Sequence, residues 1–376
     1  MPGLDQTALR RVNTAAVLRA LAASEMDATL QALIGKTGLS RRTVELILSE
    51  LVAEGWAIEA PSESSGVAGR PARRFRFDAG HRLVAAARID THLAHGAVAD
   101  LRGRILGQAS RALGDYADPR RSVADAVEVI RAAADDAEVP LDRLRAGGVA
   151  AGGVIDASGV VRRLVSAPEW SGFGLAGAFE GEFGVPWVAD NDANLAALAE
   201  HRTGVARGRR HLAWLIHGHR TGVGFIVNGE VHRGASGAAG ELIESRVLGL
   251  RRSEEHPIGM LTSPVAADRS RAAKLVAAAL GGDKPALALA EEFAALLADA
   301  VDVISWTVAP ELIVLGGGLE TAADLLIPLV RERAGEVGVL EIDIAASSIG
   351  TDAPLIGAVR YALDRIDADL FGPTVS

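Results

Sequence analysis

The sequence predicts an α/β protein of two or three domains, with a small helical domain in front of a larger region of mixed strands and helices. Three observations support this prediction. First, an apolar helical stripe follows a glycine-containing turn near residue 38. Second, a pattern of three strands followed by a helix occurs twice beyond residue 83. Third, the charge is distributed unevenly between the two parts of the chain. With 376 residues and 49% hydrophobic residues, the chain is too long for one compact core and apolar enough to fill more than one.

Composition excludes several classes of protein and site. The chain has no cysteine, which rules out disulfides, thiolate metal sites and a cysteine nucleophile. It has no signal-peptide pattern and no apolar run of membrane-spanning length, so we expect a soluble, cytoplasmic protein. The net charge is −9, yet residues 1–82 carry 11 Lys and Arg against 9 Asp and Glu. The acidic excess therefore lies in the remainder, and the two parts are expected to face different partners.

Two helices are predicted near the start of the chain. Apolar residues at helical spacing predict a helix over residues 13–23 with Asn13 as its N-cap, and a second short helix over 29–36. The tripeptide TGL at 37–39 then predicts a tight turn in which Gly38 adopts a positive φ.

A third helix is predicted to begin after Ser40, a residue favoured at the N-cap. Its apolar positions follow the i, i+3, i+4, i+7 pattern of a buried face: Val44, Ile47, Leu48 and Leu51. Arg41, Arg42 and Thr43 then point outward from its first turn. This order indicates a helix-turn-helix, whose second helix reads bases with its first turns. An ordinary helical hairpin with a solvated arginine pair is the alternative left open by this segment alone.

A basic hairpin is predicted after the third helix. A strand over 56–59 and a second strand, in which Phe75 and Phe77 alternate with arginines, flank a Ser/Gly/Pro-rich loop. Residues 66–82 carry a single acid, Asp78, and five arginines: Arg70, Arg73, Arg74, Arg76 and Arg82. Such a wing suits phosphate contacts and a narrow minor groove, although a basic interdomain linker is the alternative. The candidate DNA-binding residues are Ser40, Arg41, Arg42, Thr43, Arg70, Arg73, Arg74 and Arg76.

Beyond residue 83 the pattern changes to mixed strands and helices. The predicted strands cover 83–90, 94–101, 104–113, 146–156, 186–191, 211–217, 221–229 and 310–320, and the predicted helices cover 122–137, 192–202, 285–308 and 354–366. Two related α/β domains that face a cleft are therefore expected. Trp170 either lines that cleft or packs within one domain.

Six segments in this order resemble the ROK family of repressors, uncharacterised reading frames and sugar kinases, in its branch with an N-terminal winged helix-turn-helix. They are TGLSRRTVELILSELVAEGWAIE, GRPARRFRFD, GGVIDASGVVRRLVSAPEW, VPWVADNDANLAALAEHRTG, TGVGFIVNGEVHRGASGAAGELI and ELIVLGGGLE. The resemblance implies a two-lobed actin-like (sugar kinase/ribonuclease H-like) fold after the DNA-binding domain. The expected divisions are 1–82, 83–190 and 191–376, and whether the C-terminal helix returns to the first lobe is left open.

The sequence departs from the kinase members where they bind ATP. Kinases of this family have a glycine-rich loop after the first strand, whose bare N–H groups wrap the phosphates. This chain has Thr91, His92 and Leu93 there, and Arg220 where the second phosphate loop has another glycine. The glycines at 316–318 are kept, but a turn after a buried strand is an equally good reason for them. We therefore expect no nucleotide cofactor and no kinase activity.

The resemblance also implies a sugar site. Asn191 and Asp192 match the pair that holds sugar hydroxyls, and the aspartate is the general base in kinase members. An Asn-Asp N-cap for the following helix is the alternative, and both can be true. Glu241 matches a further sugar-contacting position, and Glu244 stands where the family usually has a His that touches the sugar and binds zinc. The candidate ligand-binding residues are Asn191, Asp192, Glu241 and Glu244.

The rest of the family's zinc site is missing from the sequence. A cysteine-rich knuckle should follow Glu244, and no cysteine is present. His256 lies in this stretch and is expected to be a solvated side chain rather than a ligand. We therefore expect neither a structural zinc ion nor any other cofactor.

The leading hypothesis is a DNA-binding transcriptional regulator, expected to be a repressor. Its partners would be a double-stranded DNA operator, a carbohydrate-like effector and further copies of itself in a homodimer or homotetramer, with no membrane. A dimer would place two recognition helices about 34 Å apart, one turn of DNA. Two alternatives are a regulator whose sensor has lost its ligand and serves oligomerisation or partner docking, and an ATP-dependent sugar kinase.

Overall fold

The computed structural model describes residues 6–24, 26–60, 73–242, 250–337 and 343–371. Arg70 and Glu244 lie outside these ranges. The head, as we call residues 6–82, contains α1 (Gln6–Ala22), β1 (Ala28–Thr29), α2 (Leu30–Thr37), α3 (Arg41–Ala53), β2 (Ala57–Ala60) and β3 (Arg74–Phe77). Among its described residues the strands form an antiparallel sheet in the order β1-β3-β2. This succession of elements is that of a winged helix.

The core of the head forms as the apolar spacing predicts. The stripe on α3 is buried: Val44, Ile47, Leu48 and Leu51. It packs against Val17 and Leu21 of α1 and against Phe75 and Phe77 of β3. The predicted start of the first helix was wrong, because α1 already begins at Gln6 and Asn13 lies within it. Ala, Leu and Arg before Asn13 are strong helix formers and carry the helix through that position.

The first lobe is built on an open sheet. Its elements are β4 (Leu83–Ile89), β5 (Leu93–Asp100), β6 (Ile105–Ala112), α4 (Pro119–Asp136), β7 (Leu144–Ala151), β8 (Val154–Ile155), β9 (Val161–Arg163), α5 (Leu175–Phe183) and β10 (Trp187–Asn191). In the described residues the sheet order is β10-β7-β4-β5-β6. Trp170 has no exposed surface and packs with α4 and β7 in the core on one face. Its indole nitrogen donates to the Tyr116 carbonyl at 2.7 Å, so this side chain packs within the lobe.

The second lobe repeats this plan. Its elements are α6 (Asp192–Thr203), β11 (Leu212–Ile216), β12 (Gly222–Val227), β13 (Glu230–Val231), α7 (Ala266–Leu280), α8 (Lys284–Thr307), β14 (Leu312–Leu315), α9 (Ala323–Val337) and β15 (Asp343–Ala346). The C-terminal helix, α10 (Ala353–Phe371), returns to the sheet of the first lobe. Its sheet runs β13-β12-β11-β14-β15 within the described ranges. In both sheets an antiparallel hairpin continues into parallel strands. The predicted two-lobed α/β fold is confirmed.

Helices α6 and α10 lie between the two sheets. Helix α10 packs on the first sheet through Ala358 and Val359, and Ala196 and Ala197 of α6 pack on the second. The two helices touch at Gly357, where a Cβ atom would lie 1.8 Å from the Leu195 carbonyl oxygen. Only glycine permits this approach. None of the described helices has the length and apolar character needed to cross a membrane.

Candidate functional site

The first turn of α3 is fixed by local hydrogen bonds. Gly38 closes α2 with a φ of +67° and donates its N–H to the Ile34 carbonyl at 2.9 Å. The Ser40 hydroxyl then accepts from the Thr43 N–H at 3.2 Å and lies 2.8 Å from the Thr43 hydroxyl. The predicted turn and N-cap are both present. As a result, α3 begins at a defined point with its first residues directed away from the core.

Two arginines occupy that exposed turn. The side chain of Arg41 is 71% exposed and its Nε donates to Glu45, one helical turn later, at 3.0 Å. Arg42 is also exposed, and it makes no ion pair within the described parts of the chain. An exposed i, i+4 pair stabilises a helix by only about 0.3–0.5 kcal/mol, so Arg41 can leave Glu45 at little cost.

Of the predicted wing arginines, Arg73 forms a bidentate ion pair. Its guanidinium donates twice to Glu59, at 2.6 and 2.9 Å, and lies over the Phe75 ring at 5.0 Å. The Arg73 hydrogen bond lowers the pKa of Glu59. Arg76 is exposed and Arg74 is half-buried. Sequence reasoning missed Glu59, because the register between β2 and β3 could not be read from composition.

The structure brings three elements together at Asn191, which ends β10 and caps α6. Its side-chain oxygen accepts from the N–H groups of Ala193 and Asn194 at 2.8 and 3.3 Å. Its side-chain nitrogen donates to the Gly153 carbonyl at 2.9 Å and to Glu241 at 3.4 Å. The residue is therefore a helix cap, and it also gathers polar groups from distant parts of the chain.

Asp192 lies beside this cluster, half-buried in the first turn of α6. One carboxylate oxygen accepts from the Ala193 N–H at 2.8 Å. Burial raises the pKa of Asp192, and the charges of Arg88 and Arg220 oppose that rise. A carboxylate with these properties can accept hydrogen bonds from ligand hydroxyls or take up a proton.

An ion-pair cluster next to Asp192 joins the two lobes. One carboxylate oxygen of Asp90 accepts from Arg88 at 2.9 Å and from Arg220, which belongs to the second lobe, at 2.8 Å. The guanidinium groups are anchored by backbone carbonyls: Arg88 donates to Thr351 at 2.9 Å, and Arg220 donates to Thr262 at 2.8 Å. We call Arg88, Asp90 and Arg220 the interlobe triad.

Asp90 is ionised in this setting. Burial raises its pKa, but the charges of Arg220 and Arg88 and the hydrogen bonds from Thr91 outweigh burial and bring the pKa down to about 2. Sequence reasoning named Arg220 only as a missing glycine and missed Arg88 and Asp90. The signal in the sequence was the presence of two charged residues, Arg88 and Asp90, at the end of the otherwise apolar strand LVAAARID.

The turns around the interlobe triad carry side chains, Thr91, His92 and Arg220, at positions where glycines are expected in kinase members of the family. In the β4–β5 turn the Asp90 carboxylate is paired with Arg220, and the Thr91 N–H donates to Asp90 at 2.6 Å. Close packing is sufficient to explain the glycines at 316 and 318. A Cβ atom at Gly316 would lie 2.4 Å from the Trp214 ring, and one at Gly318 would lie 2.2 Å from the Leu261 carbonyl oxygen.

The expectation of a solvated His256 was wrong. Its side chain is buried, and its ring centroid lies 5.3 Å from that of Phe293 on α8. His217, also buried, stacks on Phe293 at 6.0 Å, and burial lowers its pKa to about 4. The loop carrying His256 packs against α8, so an aromatic contact shields the imidazole from water. Within the described ranges, no group of three or more His, Cys, Asp or Glu residues could hold a metal ion.

Comparison with known proteins identifies the family. The ROK family model matches residues 85–243 and 250–365. The chain belongs to the ROK family. Among curated relatives, the bifunctional enzyme NanE/NanK of Brucella melitensis is 34% identical over 186 residues, covering 48% of this chain and 36% of that enzyme. The chain thus matches about a third of the length of that relative. The xylose repressor of Bacillus subtilis is 24% identical, covering 63% of this chain and 61% of the repressor.

Solved structures share the fold to different extents. A ROK family transcriptional regulator, a homologue of the Escherichia coli MLC protein, superposes with a TM-score of 0.71 at 18% identity, covering 96% of this chain and 98% of its own. A ROK glucokinase from Streptomyces griseus, in complex with glucose and AMPPNP, gives a TM-score of 0.59 at 23% identity, covering 75% of this chain and 99% of its own. The superposition with the kinase therefore covers about three quarters of this chain, whereas the superposition with the regulator covers nearly all of it.

Proposed function

We propose that this ROK family protein is a DNA-binding transcriptional repressor, in which α3 of the head reads an operator and the two-lobed body senses a carbohydrate-like effector. The observation that carries the proposal is the exposed first turn of α3, with Arg41 and Arg42, on a winged-helix head that precedes the family body. The regulator's near-complete coverage of the chain supports this assignment.

The charge distribution favours contact with DNA through the head alone. The acidic excess of the whole chain resides beyond residue 82, and phosphates repel an acidic body. Ser40, Thr43, Arg74, Arg76 and, in the segment that the structure does not describe, Arg70 would contact DNA around the recognition helix. Two copies of the chain would read half-sites about 34 Å apart.

The body offers the polar groups of a hydroxyl-binding site. Asn191 donates to the Gly153 carbonyl and to Glu241, and Asp192 follows it in the first turn of α6, so that the carboxylates of Asp192 and Glu241 are proposed to accept hydrogen bonds from vicinal hydroxyls. Glu244, which follows shortly after Glu241 in the chain, is proposed as a further ligand contact. Similarity to a xylose repressor and to glucokinases makes D-xylose and D-glucose the first compounds to test.

The decisive experiment is fluorescence anisotropy of the intact protein on duplex DNA from upstream of its own gene. We expect tighter binding to this DNA than to random DNA, and an affinity that falls steeply as salt is added. Arg209→Ala removes an exposed arginine of the second lobe, which pairs with Asp343, and serves as the control for nonspecific charge effects. Absence of any binding at low salt would contradict the proposal.

Asp192→Ala tests the sensor. Operator affinity should be unchanged, while any response to D-xylose or D-glucose should disappear, because the variant lacks the carboxylate that receives the hydroxyls. If the response persists in the variant, Asp192 lies outside the effector site. DNA binding that responds to no sugar in the parent protein would favour a body that serves oligomerisation or partner docking.

A sugar kinase is the second candidate, favoured by one observation: Asp192 occupies the first turn of α6, where kinase members hold their general base. The interlobe triad opposes it, because Arg220 stands where a phosphate-binding glycine is expected and is ion-paired with Asp90. ATP-dependent phosphorylation of D-glucose or D-xylose that is lost in Asp192→Asn would establish kinase activity. We expect no phosphorylation.

A further inference from the structure

We infer that the β5–β6 turn, residues 100–104, couples the head to the region between the lobes that contains Asp192 and the interlobe triad, which we call the cleft. Arg102 contacts the head, and Arg360 of α10 contacts the turn. This inference rests on the proposed function, because it specifies how an effector in the body controls DNA binding. It assigns a regulatory role to residues that lie far from both α3 and Asp192 in the sequence.

Arg102 makes the contacts on the side of the head. Its guanidinium donates to the Ser24 carbonyl, just beyond the end of α1, at 2.9 Å and lies 5.8 Å from the centre of the Phe77 ring in β3. The neighbouring Leu101 N–H donates to the Ala79 carbonyl at 3.0 Å. The turn therefore contacts the head at the end of its first helix and along its last strand.

The turn is itself preorganised. One oxygen of the Asp100 carboxylate accepts from the Arg102 and Arg104 N–H groups at 2.8 and 3.0 Å. Gly103 has a φ of +76°, a conformation that other residues rarely adopt. A rigid turn transmits a displacement at one end to the other, whereas a flexible loop would absorb it.

Arg360 of α10 contacts the turn from the body. It donates to the Arg102 carbonyl at 2.9 Å, and a Cβ atom at Gly103 would lie 2.6 Å from the central carbon of its guanidinium. Burial lowers the pKa of Arg360, and its Nε has no hydrogen-bond partner among the described residues. This side chain is therefore confined between α10 and the turn, with little room to adjust.

Helix α10 in turn contacts α6, the helix that begins at the cleft. The contact of Gly357 with the Leu195 carbonyl leaves no space for even one methyl group. Arg202 of α6 pairs with Asp364 of α10 at 3.0 Å. A ligand that shifts Asp192 moves the first turn of α6 against α10, and close packing passes that movement to Arg360.

A test that needs no known effector follows from reciprocity. If the cleft controls the head, DNA binding at the head must change the cleft by the same coupling free energy. The chain has no cysteine, so His92→Cys creates a single labelling position at an exposed residue of the β4–β5 turn, two residues after Asp90. A fluorophore attached there reports on the cleft of the intact protein while duplex DNA from upstream of its gene is added.

We expect the emission of this labelled protein to change on binding that DNA and to remain constant with random DNA at matched occupancy. Arg102→Ala and Arg360→Ala should abolish the change while leaving DNA affinity within about threefold of the parent, less than the roughly 5- to 150-fold typical of allosteric coupling. Arg209→Ala should retain the change. Arg102→Lys should fail like the alanine variant, because an ammonium cannot both donate to Ser24 and lie flat over Phe77.

Three outcomes would decide against the inference or its premise. A change that persists in both alanine variants would place the coupling elsewhere. No change in the parent protein despite DNA binding would show that the head and the cleft are independent. No DNA binding at all would refute the proposed function itself, and the anisotropy measurement separates this case from the other two.

Discussion

The arginines of the head and those of the cleft serve opposite physical purposes. Arg41 is 71% exposed and pairs with a glutamate on its own helix, whereas Arg88 is 10% exposed and pairs with an aspartate that also binds the opposite lobe. Exposed pairs contribute little to stability, while breaking a buried pair costs several kcal/mol. The first turn of α3 therefore carries charge at the surface of the head, whereas the body pairs its buried charges across the two lobes.

The largest expected effect is that of Arg220→Ala. This variant should lower the free energy of unfolding by about 3 kcal/mol, because it removes one partner of a largely buried carboxylate while Arg88 remains. Urea unfolding followed by circular dichroism measures it. Arg209→Ala, which breaks an exposed pair, should cost less than about 1 kcal/mol. Equal losses in the two variants would remove the distinction between buried and exposed pairs.

Low pH should weaken the interlobe triad. The folded-state pKa of Asp90 is about 2, below its ordinary value of 3.8, so its stabilisation is fully present above about pH 4 and is lost as the pH falls towards 2. The expected loss is about 2 kcal/mol. Unfolding free energies measured across this range should be less pH-dependent in Asp90→Asn than in the parent. Identical acid profiles would show that Asp90 is not ion-paired in solution.

On the side of the head, Arg42→Ala should affect binding without affecting stability. If Arg42 makes a bidentate guanine contact, operator binding should weaken by about 1–3 kcal/mol, with little change on random DNA. The unfolding free energy should stay within about 0.5 kcal/mol of the parent, since the side chain is exposed. Anisotropy titrations on both DNAs test this, and equal losses on both would reduce Arg42 to a phosphate contact. Arg41→Ala provides the adjacent comparison.

The smallest effect is expected for Arg73→Ala. If Arg73 leaves Glu59 for a phosphate, its loss should weaken all DNA sequences alike and reduce the slope of log affinity against log salt by about one. A salt titration on operator and random DNA gives that slope. An unchanged slope would mean that Arg73 stays with Glu59, and the loss would then appear only as a stability change below about 1 kcal/mol.

The sequence was sufficient where the physical cause is local. The buried stripe of α3, the turn at Gly38 and the cap at Ser40 depend on residues within a few positions of one another, and the structure contains all three. The prediction of Asn13 as an N-cap was wrong, because the helix-forming residues before it extend the helix through that position. His256 failed because its burial depends on α8, which follows it in the chain.

The amino-acid sequence by itself determined the head, the alternation of strands and helices, and the family. It could do so because spacing, capping and turn chemistry act over short stretches. Only the tertiary structure decided which charges meet. Asp90 and Arg220 are 130 residues apart, and Arg102 and Arg360 are 258 apart. The periodicity of the sequence does not predict such pairs, since they form only when separate sheets and helices pack together and each buried charge needs a partner.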